Sequence, residues 1–356
     1  MSLGSSVPIS GLASETTPLV PLSPSGSEAG PAVGPRAKTA PNVVLATSWA
    51  PPDVRDPDGY LDALQRLGAE AVVVVASDAI PADLPSLQRS LGRRRHELAV
   101  AALEGQIGAL HLGTPQAFQT RLCAIDRAEA ETAVAVVRSA LDLAGQLGAK
   151  AVLISLGSIG ERSDGIERLW ARLLGCFRRG VLLYDPSSAQ ELREIRAALA
   201  SRHLDATMRS LDPLLEEASR RGITLCLRNP PRGIELPAAF ELATLRSVFA
   251  GAPLSSLLDL PSAHLSSMLQ LLPLRDTVLA FAGPQSHDGK TDPTTPPWAN
   301  LADACGLIAG LVPGQGEARP AAVARALPTQ AQRIFAPWAL LSPDEVQKGM
   351  TAVAAL

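Results

Sequence analysis

The chain has 356 residues, of which 46% are hydrophobic, 19% charged and 3% aromatic, and its formal net charge is −3. That much apolar material excludes wholesale disorder, and the few aromatics exclude a broad base-stacking surface. The mild negative charge excludes a global pull toward nucleic acid or an acidic membrane, and no apolar run reaches the ~18 residues of a membrane span.

Residues 1–41 are rich in Pro, Ser, Gly, Ala and Thr and show no period, so they read as a disordered tail. The first basic residue is Arg36, so the amino terminus lacks the charged opening of a signal peptide, and a cytoplasmic protein is expected. From Asn42 onward, short aliphatic runs alternate with longer amphipathic stretches. The strands expected are Val43–Thr47, Ala71–Val75, Leu98–Leu103, Ala151–Ser155, Ile223–Leu227, Ser255–Asp259, Thr277–Phe281 and Arg333–Phe335. Most are continuous apolar runs of the kind a parallel sheet needs when both faces are covered. Helices are expected at Asp58–Gly68, from Asp126 to Gly148, from Ala189 to Gly222 and at Ala238–Phe249. In the second of these Asp126 is a good N-cap, and Ala133, Val137, Ala140, Leu141 and Ala144 recur at helical spacing. Strand–helix alternation repeated about eight times predicts a (β/α)₈ TIM barrel over residues 42–356. Two excursions exceed the minimal repeat: 157–188, with a short helix around Ile166–Phe177, and 284–303, read as the loop after the seventh strand. Cys123, Cys176, Cys226 and Cys305 form no CxxC pair and read as small buried hydrophobes in a reducing compartment.

Three stretches together resemble the xylose isomerase-like TIM barrels, the superfamily of sugar phosphate isomerases and epimerases and apurinic endonuclease-type enzymes. They are DRAEAETAVAVVRSALDLAGQLGAKAVLISLG at 126–157, LDPLLEEASRRGITLCLRNPP at 211–231 and LLDLPSAHL at 257–265. A weaker match is VPGQGEARPAAVARAL at 312–327. The resemblance implies a divalent metal at the barrel mouth, held by two glutamates, an aspartate and a histidine, which grips substrate oxygens and polarises a carbonyl. Carried over position by position, most of that set is missing. The fifth-strand glutamate falls on Arg228, beside Asn229, while the sixth-strand aspartate is kept as Asp259. The histidine after it falls on Ser262, with Pro261 in place of glycine. The seventh-strand histidine falls near Gly283, the final glutamate near Ala336, and the fourth-strand histidine of endonuclease-type members on Ser155. An arginine among the ligands repels a cation, so no family-type metal and no other cofactor is expected.

Arg228 and Asp259 end neighbouring strands, about 5 Å apart by sheet geometry. Two roles follow: a core-stabilising pair, in which truncating one member costs about 3–5 kcal/mol, or a site for a phosphate or carboxylate. His287 and Asp288, in the polar loop, are candidates for a relocated site; His264 reads as a surface or capping histidine. Gly157-Ser158-Ile159-Gly160 and Gly314-Gln315-Gly316 could cradle phosphate or serve as ordinary turns. Arg93-Arg94-Arg95-His96 reads as a solvated helix end. The residual site is therefore Ser155, Arg228, Asn229, Asp259, His287 and Asp288. The function expected is that of a sugar phosphate isomerase/epimerase-like barrel without metal-dependent isomerisation. The alternative is a pseudoenzyme barrel that binds a ligand or a protein. The partners expected are a small anionic or sugar-like ligand or a protein, not nucleic acid and not a membrane.

Overall fold

A computed structural model describes residues 43–51, 54–76, 83–160, 186–228, 234–259, 305–309, 332–336 and 342–354. The tail 1–41, the helix expected at Ile166–Phe177, Thr277–Phe281, the loop 284–303 and Gly314-Gln315-Gly316 lie outside these residues.

The apolar runs become strands and the amphipathic stretches become helices. In chain order they are β1 (Val43–Ala46), α1 (Pro57–Arg66), β2 (Ala71–Val74), α2 (Leu84–Arg94), β3 (Ala99–Glu104), α3 (Ile107–His111), α4 (Arg127–Leu147), β4 (Ala151–Ile154) and β5 (Gly157–Ser158). There follow α5 (Pro186–Arg221), β6 (Thr224–Arg228), β7 (Glu235–Leu236), α6 (Ala239–Val248), β8 (Leu254–Asp259), β9 (Cys305–Ala309), β10 (Gln332–Phe335) and α7 (Pro343–Ala354). Eight parallel strands close a barrel in the order β1-β10-β9-β8-β6-β4-β3-β2, while β5 and β7 pair antiparallel beside it. The chain thus has a closed α/β barrel of the TIM type.

One strand assignment needs correction. The seventh barrel strand is β9, Cys305–Ala309, paired with β8 and β10, and not Thr277–Phe281. Both stretches are short apolar runs, and an apolar run alone does not say which of two candidates closes a sheet. Residues 284–303 therefore precede the seventh strand, and the seventh-strand position moves from Gly283 to the end of β9.

Side chains alternate between two apolar layers. Val44, Ala46, Val73, Leu153, Cys226 and Ile334 fill the barrel interior. Leu45, Val72, Leu103, Val152, Leu225 and Leu227 face the helices. The caps act as expected. The Asp126 carboxylate accepts from Glu129 N–H at 2.8 Å and opens α4. Arg93 and Arg94 at the end of α2 pair with Asp58 and Asp62 of α1, as befits a solvated helix end.

A register shift breaks the alternation in β3. Val72 lies opposite Val100, but Val73 lies opposite Ala102, so Ala101 is an extra residue. Ala101 and Ala102 both meet the interior cluster, whereas Val100 and Leu103 face outward. A strand with strict two-residue alternation from Val100 would turn residue 104 toward the helices. The bulge turns Glu104 toward the barrel axis instead.

Candidate functional site at the barrel mouth

The carboxyl ends of the strands define the mouth. Along β6, Cys226 faces the interior, so Arg228, two residues on, also faces inward at the rim. Along β3, Ala102 and Glu104 do the same past the bulge. Along β4, Leu153 is followed by Ser155, which is exposed. Along β10, Ile334 is followed by Ala336, which packs on the interior cluster. The residues that the sequence placed on the fourth, fifth and eighth strand ends therefore reach one place.

Glu104 was not among the residues singled out from the sequence. Its Oε2 accepts from Ala76 N–H just past β2, at 2.8 Å. Its Oε1 lies 3.7 Å from Nη1 of Arg228. The pair spans β4, which lies between β3 and β6. Glu104 is 19% exposed and Arg228 38% exposed, so the pair is open to the mouth rather than sealed in the core. Water screens a guanidinium this exposed, so the Glu104–Arg228 pair is worth less than the about 3–5 kcal/mol of a buried pair. The available signal was a carboxylate directly after the expected strand Leu98–Leu103. Gly105 follows for a steric reason. A Cβ there would lie 3.2 Å from the Leu153 carbonyl oxygen, which accepts from Gly105 N–H at 2.7 Å.

Asp259 ends β8, the neighbour of β6, but Arg228 is in register with Leu257, so Asp259 lies two residues farther along. Asn229, His264, His287 and Asp288 lie outside the described residues.

In the Gly157–Gly160 loop two N–H groups are already engaged within the fold. The N–H of Gly160 donates to Nε2 of His203 at 2.8 Å, and Ile159 N–H donates to the Ile234 carbonyl. The carbonyls of Ser158 and Gly160 accept from Nη1 of Arg121 at 3.1 and 2.5 Å. Arg121 also forms a two-pronged pair with Glu129, at 2.7 and 2.9 Å. Gly157 has φ +99°, and a Cβ there would sit 2.7 Å from that of Arg121, so only glycine fits. His203 is buried. Because Nε2 accepts, Nδ1 carries the proton and donates to the Cys123 carbonyl at 2.7 Å. Burial pushes the Cys123 thiol up to about 12, which makes it inert at neutral pH. A cleft of about 790 Å³ opens beside this cluster, lined by Gln119, Asp126 and Arg202 among others. Cys226 is likewise buried and free of any disulfide, as the sequence led us to expect.

Among the described residues, no three His, Cys, Asp or Glu side chains cluster as a metal site. Arg228 places a fixed positive charge 3.7 Å from the Glu104 carboxylate, which disfavours a cation between the two. Among the described residues, no helix is long and apolar enough to cross a membrane.

No family profile matches the chain, and no curated protein matches it in sequence. Solved structures do match in fold. A D-tagatose 3-epimerase-like protein is 12% identical, with a TM-score of 0.54 over 88% of this chain and 96% of its own. The 3-keto-D-glucoside 4-epimerase of E. coli is 11% identical, with a TM-score of 0.51 over 88% and 99%. A putative xylose isomerase from Rhodospirillum rubrum is 16% identical, with a TM-score of 0.52 over 88% and 97%.

Proposed function

We propose that the barrel mouth binds a small sugar-like or anionic ligand through Arg228, and that it does so without a divalent metal. The observation that carries this is the Arg228 guanidinium, facing the mouth and 3.7 Å from the carboxylate of Glu104. A guanidinium offers up to five N–H donors and matches carboxylate and phosphate oxygens. The epimerase names of structures that share the fold suggest a sugar-like ligand, and barrels of this class place their ligands at the carboxyl face of the strands.

Thermal unfolding tests this with D-fructose 6-phosphate, dihydroxyacetone phosphate, Mg²⁺, Mn²⁺ and Zn²⁺. A sugar phosphate at about 100 times its Kd stabilises the fold by about 2.7 kcal/mol. The expected result is stabilisation by the phosphates, none by the metals, and loss of the effect in Arg228→Met. Tight stoichiometric metal in the purified protein would overturn the metal-free part. Silence toward every phosphate would overturn the small-ligand part and leave a protein-binding barrel.

A further inference from the structure

We propose that His203 is a pH-sensitive switch that sets the direction of a single peptide group, the one joining Ile159 to Gly160.

The peptide groups on either side are held by partners that do not titrate near neutral pH. Ile159 N–H donates to the Ile234 carbonyl at 2.8 Å. The Ser158 carbonyl of that same peptide accepts from Nη1 of Arg121 at 3.1 Å, and the Gly160 carbonyl accepts from the same nitrogen. The peptide between them has a different tether. Its N–H, that of Gly160, donates to Nε2 of His203 at 2.8 Å. An imidazole nitrogen accepts only while it carries no proton. The other ring nitrogen, Nδ1, already donates to the Cys123 carbonyl at 2.7 Å. A second proton, drawn from water through the adjoining cleft, therefore lands on Nε2, and two N–H donors then face each other.

Reversing that one peptide resolves the conflict. Gly160 N–H swings away, and the Ile159 carbonyl takes its place as an acceptor for the protonated ring, a charge-assisted bond. The reversal changes ψ of Ile159 and φ of Gly160 and leaves both neighbouring peptides on their partners. Gly160 stands at φ +81°, and glycine populates both signs of φ about as readily, so this position admits both directions.

The charged groups that face the ring from the described elements are Arg121 before α4, Asp126 and Glu129 at its start, and Arg202 on α5, all lining the cleft. Glu235 of β7 lies on the Cys123 side. Arg121 and Glu129 are paired with each other. The Cys123 thiol donates to the Ser158 carbonyl at 3.3 Å and, pushed up to about 12, keeps its proton throughout. Both ring nitrogens meet backbone groups, so the proton count of the imidazole is read directly by the chain.

The experiment follows the His203 ring by nitrogen NMR, and the Ile159 and Gly160 amides by hydrogen exchange, from about pH 8 to about pH 5, the range in which an imidazole ordinarily changes charge. The expected result is that Gly160, corrected for the intrinsic exchange rate, loses about tenfold in protection, the worth of one hydrogen bond, at the midpoint of the ring's own titration. Ile159 keeps its protection. In His203→Gln the side-chain oxygen accepts at any pH, so Gly160 stays protected throughout. Four results would overturn the switch: unchanged Gly160 protection across the ring's titration, Ile159 and Gly160 losing protection together, the same midpoint in His203→Gln, or a ring that takes no second proton before the chain unfolds in acid. The comparison of the two amides in the unaltered chain decides the matter even if His203→Gln fails to fold.

Discussion

Two kinds of Arg–Glu pair sit in this barrel, and they differ in enclosure. Beside β5 and β7, Arg121 grips Glu129 with two prongs and spends its remaining reach on the Ser158 and Gly160 carbonyls. Nearby, Arg196 of α5 pairs with Glu241 of α6 and also donates to the Glu235 carbonyl. Glu241 is 1% exposed and also accepts from Ala238 N–H. These pairs are tight, enclosed and tied to backbone. The mouth pair, Glu104 and Arg228, is looser and more exposed. The rule suggested is that a close, enclosed pair tied to backbone holds segments together, whereas the exposed pair at the barrel mouth, held at 3.7 Å, contributes less to stability.

The largest break in that contrast should come from Glu241→Ala. It strands Arg196, whose head is only 18% exposed, and should cost about 3–5 kcal/mol in chemical denaturation. Next, Arg121→Met removes the two-pronged pair and two carbonyl contacts, and should cost about 2–3 kcal/mol. A result equal to that of an exposed pair would mean that enclosure does not mark the structural pairs. Third, Arg228→Met should cost no more than about 1 kcal/mol, since its pair is half open to water, and yet abolish stabilisation by sugar phosphates. A loss matching that of Glu241→Ala would make the mouth pair structural too.

The smallest effect is one of pH. Burial holds the Glu241 carboxyl above the usual carboxylate range, against the opposing pull of Arg196. The folded chain therefore keeps that proton to higher pH than the unfolded chain does. Its contribution to stability is greatest below the unfolded value and falls as pH rises through the raised one. Glu241→Gln should flatten that slope, which thermal melts across the carboxylate range would reveal. An unchanged slope would assign the titration elsewhere.

How much was legible in the sequence depended on the range of the interaction that fixed each feature. Asp126 as a cap and the helical spacing from Ala133 to Ala144 are local, and α4 appears where they put it. The run Ala151–Ile154 is apolar throughout, and β4 is buried on both faces. Arg228 and Ala336 stand at the strand ends where each continues an unbroken alternation from Cys226 and Ile334. Thr277–Phe281 and Cys305–Ala309 are locally equivalent, and only the closing of the sheet chooses between them. Arg196 and Glu241 meet across distant segments, and no spacing rule connects them. Glu104 was hidden by a different cause: the shift that turns it inward depends on the register of β2 against β3, which no run of residues in β3 alone displays.

That shift has a consequence for how the mouth can change over generations. Whether Glu104 faces the mouth depends on the count of residues in β3 as well as on their kind. An in-frame loss of three nucleotides at Ala101 would leave Glu104 encoded yet turn it out of the barrel, with the surrounding composition almost untouched. A scan of point substitutions would never sample that change. Across a lineage, the facing of Glu104 could come and go by insertion and deletion while every aligned letter stayed the same.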